Sequence, residues 1–137
     1  MKDALLTFSD KQEVTLAGAG NVASERVLKE ADIAQLGRGH QKFVEVWTDG
    51  NFTDEAFLLD IRLAVGSTSP GTAIMEILSD LNGDTAGKMN DGVGGMIAKV
   101  ALPSLNLDDF ISLIYAGSAA ITAGGHLTAF INPEMMG

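Results

Sequence analysis

Short β-like runs recur along the whole chain with turn-forming residues between them, and in several of them apolar residues take every second place. The clearest are Phe43-Val44-Glu45-Val46-Trp47-Thr48 and Leu59-Asp60-Ile61-Arg62-Leu63-Ala64-Val65. Successive side chains of a strand point to opposite faces, so this pattern buries one face of a sheet and wets the other. A helix face repeats with a period of 3.6 and does not fit it. Reading the runs this way gives β segments at 5–8, 13–16, 24–28, 43–48, 57–65, 73–78, 96–102, 110–116 and 126–131. Asp49-Gly50, Asn82-Gly83 and Asp91-Gly92 lie between runs, and such dipeptides tolerate the positive φ of tight turns. Residues 80–95 hold five glycines and few large apolar side chains, which predicts a long exposed loop. Good helix formers in Glu25-Arg26-Val27-Leu28-Lys29-Glu30-Ala31 leave a helix over 23–35 open as the alternative to a strand there. The expected architecture is mainly β: one domain over 1–137, an antiparallel β-sandwich or jelly roll with a long Gly-rich loop.

Composition bounds the function. The chain has 137 residues, 46% of them apolar, enough for a core that needs no metal or disulfide. Zero cysteines remove thiol nucleophiles, redox pairs and thiolate metal sites. Eighteen acidic side chains against nine basic ones give a net charge of −9, which opposes binding to nucleic acid or to an anionic membrane. The first ten residues lack the long apolar core of a signal peptide, so the sequon Asn51-Phe52-Thr53 has no expected route to glycosylation. The uncharged stretch from Phe110 to Ile131 is long enough to span a bilayer. It is split by Gly117, Gly124 and Gly125 and lacks flanking basic and aromatic anchors, so it reads instead as a β-hairpin of 110–116 and 126–131 at the edge of a sheet.

Each motif that suggests chemistry has a plainer reading. Gly18-Ala19-Gly20-Asn21-Val22-Ala23 follows a strand-like run and has the spacing that lets a pyrophosphate approach a helix N-terminus. The parallel strand ending in an acidic residue that should follow is missing from 33–39, and a glycine turn between short strands accounts for it. Asp80, Asn82 and Asp84 imitate the first ligands of a calcium loop, but Thr85 stands where the sharp turn needs glycine. His40 and His126 share no ligand spacing, and no serine sits in a nucleophile elbow. Asp108-Asp109 and Asp54-Glu55 read as solvated charge before they read as acid–base pairs. No catalytic residue, cofactor or metal is expected.

Interaction is the better expectation. Trp47 and Phe52 flank the Asp49-Gly50 turn, where aromatics either anchor an interface or pack into the core. Leu5, Leu6 and Phe8 form an apolar N-terminal arm within 1–10 that must bury in its own sheet or against a neighbouring chain. The chain ends Asn132-Pro133-Glu134-Met135-Met136-Gly137, with adaptable methionines that suit a partner surface or fray.

Several of these segments together resemble the capsid cement (decoration) proteins of tailed bacteriophages, of the Bordetella-phage type. The likeness is carried by Asp3-Ala4-Leu5-Leu6-Thr7-Phe8-Ser9-Asp10-Lys11-Gln12 with Val14-Thr15, and by Leu36-Gly37-Arg38-Gly39 leading into Phe43–Thr48. Leu102-Pro103, Leu113-Ile114-Tyr115, Thr122-Ala123-Gly124 and Leu127-Thr128-Ala129-Phe130 continue it. It spans most of the chain but finds no counterpart for 80–95. The resemblance implies a jelly-roll-like protein on the outer surface of the virion that binds the major capsid protein and bridges its subunits. It also implies self-association, with a homodimer ahead of a homotrimer, and synthesis in the host cytoplasm. Leu5, Leu6, Phe8, Arg38, Trp47 and Phe52 are the expected interface residues, Arg38 because a guanidinium can grip a carboxylate in bidentate fashion. The rival is a tail-associated or carbohydrate-binding sandwich in which Trp47 and Tyr115 stack on sugar rings and the 80–95 loop shapes the groove.

Overall fold

The computed structural model describes residues 6–34, 40–48, 58–66, 71–82, 95–103, 109–120 and 126–135. Its strands are β1 (Thr7–Glu13), β2 (Gly20–Ala23), β3 (Leu28–Lys29), β4 (His40–Thr48), β5 (Leu58–Gly66), β6 (Thr72–Asn82), β7 (Gly95–Ala101), β8 (Phe110–Gly117) and β9 (His126–Met135), with one short helix, α1 (Glu30–Ala34). They form two sheets, ordered β1-β9-β4-β7 and β2-β8-β5-β6, with β3 also pairing with β8. Every strand pair is antiparallel. Apart from β2 to β3 and β5 to β6, each link between successive strands crosses from one sheet to the other. The mainly-β, antiparallel reading is what the structure has.

Alternation sets the inner faces. Leu59, Ile61 and Leu63 of β5, Ile111, Leu113 and Tyr115 of β8, Val44 and Val46 of β4, and Leu127, Ala129 and Ile131 of β9 are all buried in one cluster. Phe8 enters the same cluster from β1 and Ile33 from α1. Burying such side chains stabilises the fold by about 1.5–3 kcal/mol each, so these positions hold the two sheets together.

Three readings need correction. The hairpin over 110–131 does not exist: β8 and β9 lie in different sheets, because each has its inner face filled by the other layer. The segment at 13–16 is no separate strand; β1 runs to Glu13 through a bulge at which Lys11 takes φ 54°. Of the 23–35 segment, the described residues 23–34 are neither one strand nor one helix but an edge strand broken into β2 and β3, followed by the five-residue α1.

That break has a physical cause. Ser24 turns inward, where its N–H donates to Leu113 O at 2.8 Å and its Oγ accepts the Leu113 N–H at 3.1 Å. Two residues later the Arg26 N–H donates to Phe8 O at 3.0 Å, so the segment touches both sheets. Gln12 completes the closure. Its Nε2 donates to Ala23 O at 3.0 Å and its Oε1 accepts the Glu25 N–H at 2.9 Å, while Glu25 Oε1 accepts the Asp10 N–H at 2.6 Å. These side-chain bonds offer the backbone an alternative to the ladder, which is why β2 stops where it does. The same bonds anchor β1 within its own chain.

No helix among the described residues is long and apolar enough to cross a membrane, and the uncharged stretch from Phe110 forms β8 and then β9.

Candidate functional site

The outer faces of the two sheets differ in chemistry. On the β2-β8-β5-β6 sheet, Arg62 projects outward between two carboxylates, with Nη2 3.0 Å from Asp60 Oδ2 and Nε 3.0 Å from Glu76 Oε1. Among the described residues of β5 and β6, the exposed large apolar side chains Leu58 and Ile74 sit on either side of these charges. Scattered apolar groups of this kind are ordinary on a solvated surface. Beside them is a shallow depression lined by Asn21, Asp60, Arg62 and Ser118.

The outer face of the β1-β9-β4-β7 sheet carries aromatic and apolar residues around a charged middle row. Register places Thr128, Trp47 and Met96 in one row across β9, β4 and β7, Phe130, Glu45 and Lys99 in the next, and Asn132, Phe43 and Ala101 in the third. Trp47 is 39% exposed and its neighbour Met96 46%. Phe43 and Phe130 are half-buried around them. Glu45 lies in the middle of this block yet is only 5% exposed. A buried carboxylate needs hydrogen-bond donors, and this one has two: Trp47 Nε1 at 3.1 Å from Oε1, and Asn132 Nδ2 on Oε2. Lys99, its cross-strand partner, places Nζ 4.8 Å from the centroid of the Phe43 ring, a cation–π contact. The block carries one formal charge of each sign, and the Glu45 bond fixes the edge of the indole while leaving part of the ring open.

The expected site residues divide. Trp47 is on the surface, as an interface anchor must be. Leu6 and Phe8 are 6% and 0% exposed in the chain's own core, so of the two fates open to the arm these side chains take the internal one and are not available to a partner. Leu5, Arg38 and Phe52 lie outside the described residues. Tyr115 is 0% exposed and its hydroxyl lies 2.7 Å from Ser9 Oγ, so it cannot stack on a sugar ring as the carbohydrate reading required.

Of the remaining motifs, Asp54-Glu55 and Asp108 lie outside the described residues. Gly20 begins β2, which pairs antiparallel with β8, so no helix N-terminus faces the Gly18–Gly20 turn. A Cβ at Gly18 would meet nothing within 4 Å, and no phosphate cradle forms there. Asp80 and Asn82 fall inside β6, while Asp84 lies outside the described residues. No group of three metal-ligating side chains occurs among the described residues. Asp109 does meet another acid. Its carbonyl accepts the Glu30 N–H at 3.1 Å, and burial pushes the Glu30 carboxyl up, opposed by Lys42 and assisted by Asp109. Glu30 Oε2 has no hydrogen-bond partner.

Sequence reasoning missed Met96, Lys99, Phe130 and Asn132 as members of the Trp47 face. Their runs were visible as strands, but only register puts them beside β4, and the bulge between Val46 and Trp47 breaks the alternation that would have oriented β7. No family model matches the chain, and no curated protein or solved structure matches it either.

Proposed function

We propose that this protein is a capsid cement protein: a structural, non-enzymatic component that binds the outer surface of an assembled phage head and bridges major capsid subunits. Its support begins with the resemblance and continues with one observation. The separated segments that carry the resemblance come together, because β1, β9 and β4 are neighbours in one sheet, and Ser9 of the first segment hydrogen-bonds Tyr115 of a later one at 2.7 Å in the core. Residues that look unrelated along the sequence therefore act as one framework.

The jelly-roll form of the sandwich belongs to this reading. Support for it comes from the strand order: with β2 and β3 counted as one broken strand, β1-β9-β4-β7 over β2-β8-β5-β6, with links that cross between the sheets, is the order that two interleaved Greek keys would give. Stabilisation would follow from mass action. A protein that binds only the expanded shell lowers the free energy of that state, and symmetry repeats each modest contact many times. Quantitative mass spectrometry of extensively washed virions tests the proposal. A ratio near stoichiometric with the major capsid protein is expected, and trace amounts would refute it.

A further inference from the structure

We infer that the depression on the outer face of the β2-β8-β5-β6 sheet binds one ring of a neutral, hydroxyl-rich ligand, a saccharide unit. This goes beyond the cement reading and does not depend on it.

Register builds the depression. Asn21 of β2, Ala116 of β8 and Asp60 of β5 stand opposite one another in one row. The adjacent row of Val22, Tyr115 and Ile61 turns to the core, so Asn21, Ala116 and Asp60 face outward. Two strand spacings hold the flanking backbones about 10 Å apart, with only the Ala116 methyl group on the strand between them. The next outward row sets Arg62 beside Ile114. At the other end the Leu58 N–H donates to Ser118 Oγ at 2.8 Å and the Ser118 N–H donates to Leu58 O at 3.0 Å. The result is a hollow of about 260 Å³ with a small-residue floor and polar groups around its rim. That is below the usual size of a site for a drug-sized ligand and suits a single ring.

The rim selects the ligand. Arg62 commits Nε to Glu76 and Nη2 to Asp60, which leaves the two Nη1 protons unused among the described residues. Ser118 Oγ accepts from Leu58 and keeps its own proton to donate. The exposed Asn21 carboxamide both donates and accepts, and the Asp60 carboxylate accepts from more than one donor at a time. Donors and acceptors interleaved around an apolar floor match a sugar ring, whose hydroxyls do both and whose C–H face is apolar. Charge rejects the alternatives. Two carboxylates against one guanidinium leave the site negative in a chain of −9, which opposes a phosphate or any other anion. A cation would need the carboxylates that Arg62 already holds. No aromatic ring lines the hollow among the described residues, so the dissociation constant should be of the order of millimolar.

Amide chemical-shift titration of the isotope-labelled full chain tests this. The probes are the methyl glycosides of glucose, galactose, mannose and N-acetylglucosamine, with glycerol and sodium sulfate as comparators. At least one glycoside is expected to give saturable shifts confined to the amides around Ala116, and neither comparator should reproduce them. Ala116→Val adds two methyl groups to the floor and should abolish the shifts. Asp60→Asn should weaken binding about tenfold and Asn21→Ala about threefold, a charged acceptor being the stronger one. Ile74→Ser, on the same sheet outside the hollow, should bind as the wild type does. Asn21 is exposed, so its variant decides the matter if Asp60→Asn disturbs the fold. No saturable shift with any glycoside, an equal response to glycerol, or wild-type binding by both Ala116→Val and Asn21→Ala would overturn the assignment. Shifts driven by sulfate instead would give the hollow to an anion and overturn it equally. None of these outcomes touches the cement reading, which is measured on washed virions.

Discussion

Removing the Ser9 hydroxyl should cost more than removing the Tyr115 hydroxyl, although the two atoms share one bond. Gln12 shows why. Its amide orientation is fixed from both sides, since Nε2 donates to Ala23 O and Oε1 accepts the Glu25 N–H. Oε1 can therefore only accept, and Ser9, 2.7 Å away, must give it its single proton. The Tyr115 hydroxyl must then donate to Ser9 Oγ. Tyr115→Phe deletes the donor and strands nothing, so it should cost about 1 kcal/mol, the net worth of a hydrogen bond. Ser9→Ala removes the acceptor and leaves a phenol proton buried in the core without a partner. That adds the desolvation of an unpaired donor, about 1–3 kcal/mol, to the lost bond with Gln12. Burial already pushes the Tyr115 phenol up, so ionisation gives it no escape near neutral pH.

Urea unfolding followed by circular dichroism measures both losses if m is unchanged. In a chain of this length each kilocalorie per mole should lower Tm by about 4 °C. The double variant should lose less than the sum of the singles by about 1 kcal/mol or more, because Tyr115→Phe rescues what Ser9→Ala strands. A Tyr115→Phe variant less stable than Ser9→Ala, or strictly additive losses, would refute the proton assignment.

Two further outcomes follow from the same geometry. A Cβ at Gly71 would stand 2.3 Å from Val65 C and 2.5 Å from Gly66 N, both backbone atoms, whereas one at Gly18 would stand in open space. Gly71→Ala should therefore destabilise by about 1–3 kcal/mol while Gly18→Ala leaves Tm unchanged or slightly raised; equal effects would contradict the close approach of Gly71 to the end of β5. Glu30 holds its proton more tightly folded than unfolded, so its contribution to stability is complete below its ordinary pKa of 4.5 and is lost as pH rises through the folded value. Glu30→Gln should thus be more stable than wild type at neutral pH, with the advantage vanishing below about pH 4. A gain that persists in acid would assign it to something other than charge burial.

The alternating runs determined much of this protein by themselves. Strands β4 to β9 were legible as short apolar runs set apart by turn signals, most clearly β4 and β5, where apolar residues take every second place. The inward residues of β4 and β5 were legible for the same reason, and Trp47 was visible as the lone tryptophan beside a turn. Lys11 was not, since nothing in Ser9-Asp10-Lys11-Gln12 marks a lysine that adopts φ 54° inside a bulge. Ser24 was missed too: its bonds to Leu113 lie 89 residues away in sequence, and they, not local propensity, break the edge strand into β2 and β3. Which sheet each strand joins was decided only in three dimensions. The β8 and β9 runs look like neighbours in a hairpin, but each needs a different layer to cover its apolar face. The Trp47 face arose in the same way. Its aromatic and charged members come from three strands, and hydrogen-bond register alone sets them side by side, because period-two patterning fixes which face a residue takes but not its cross-strand neighbour.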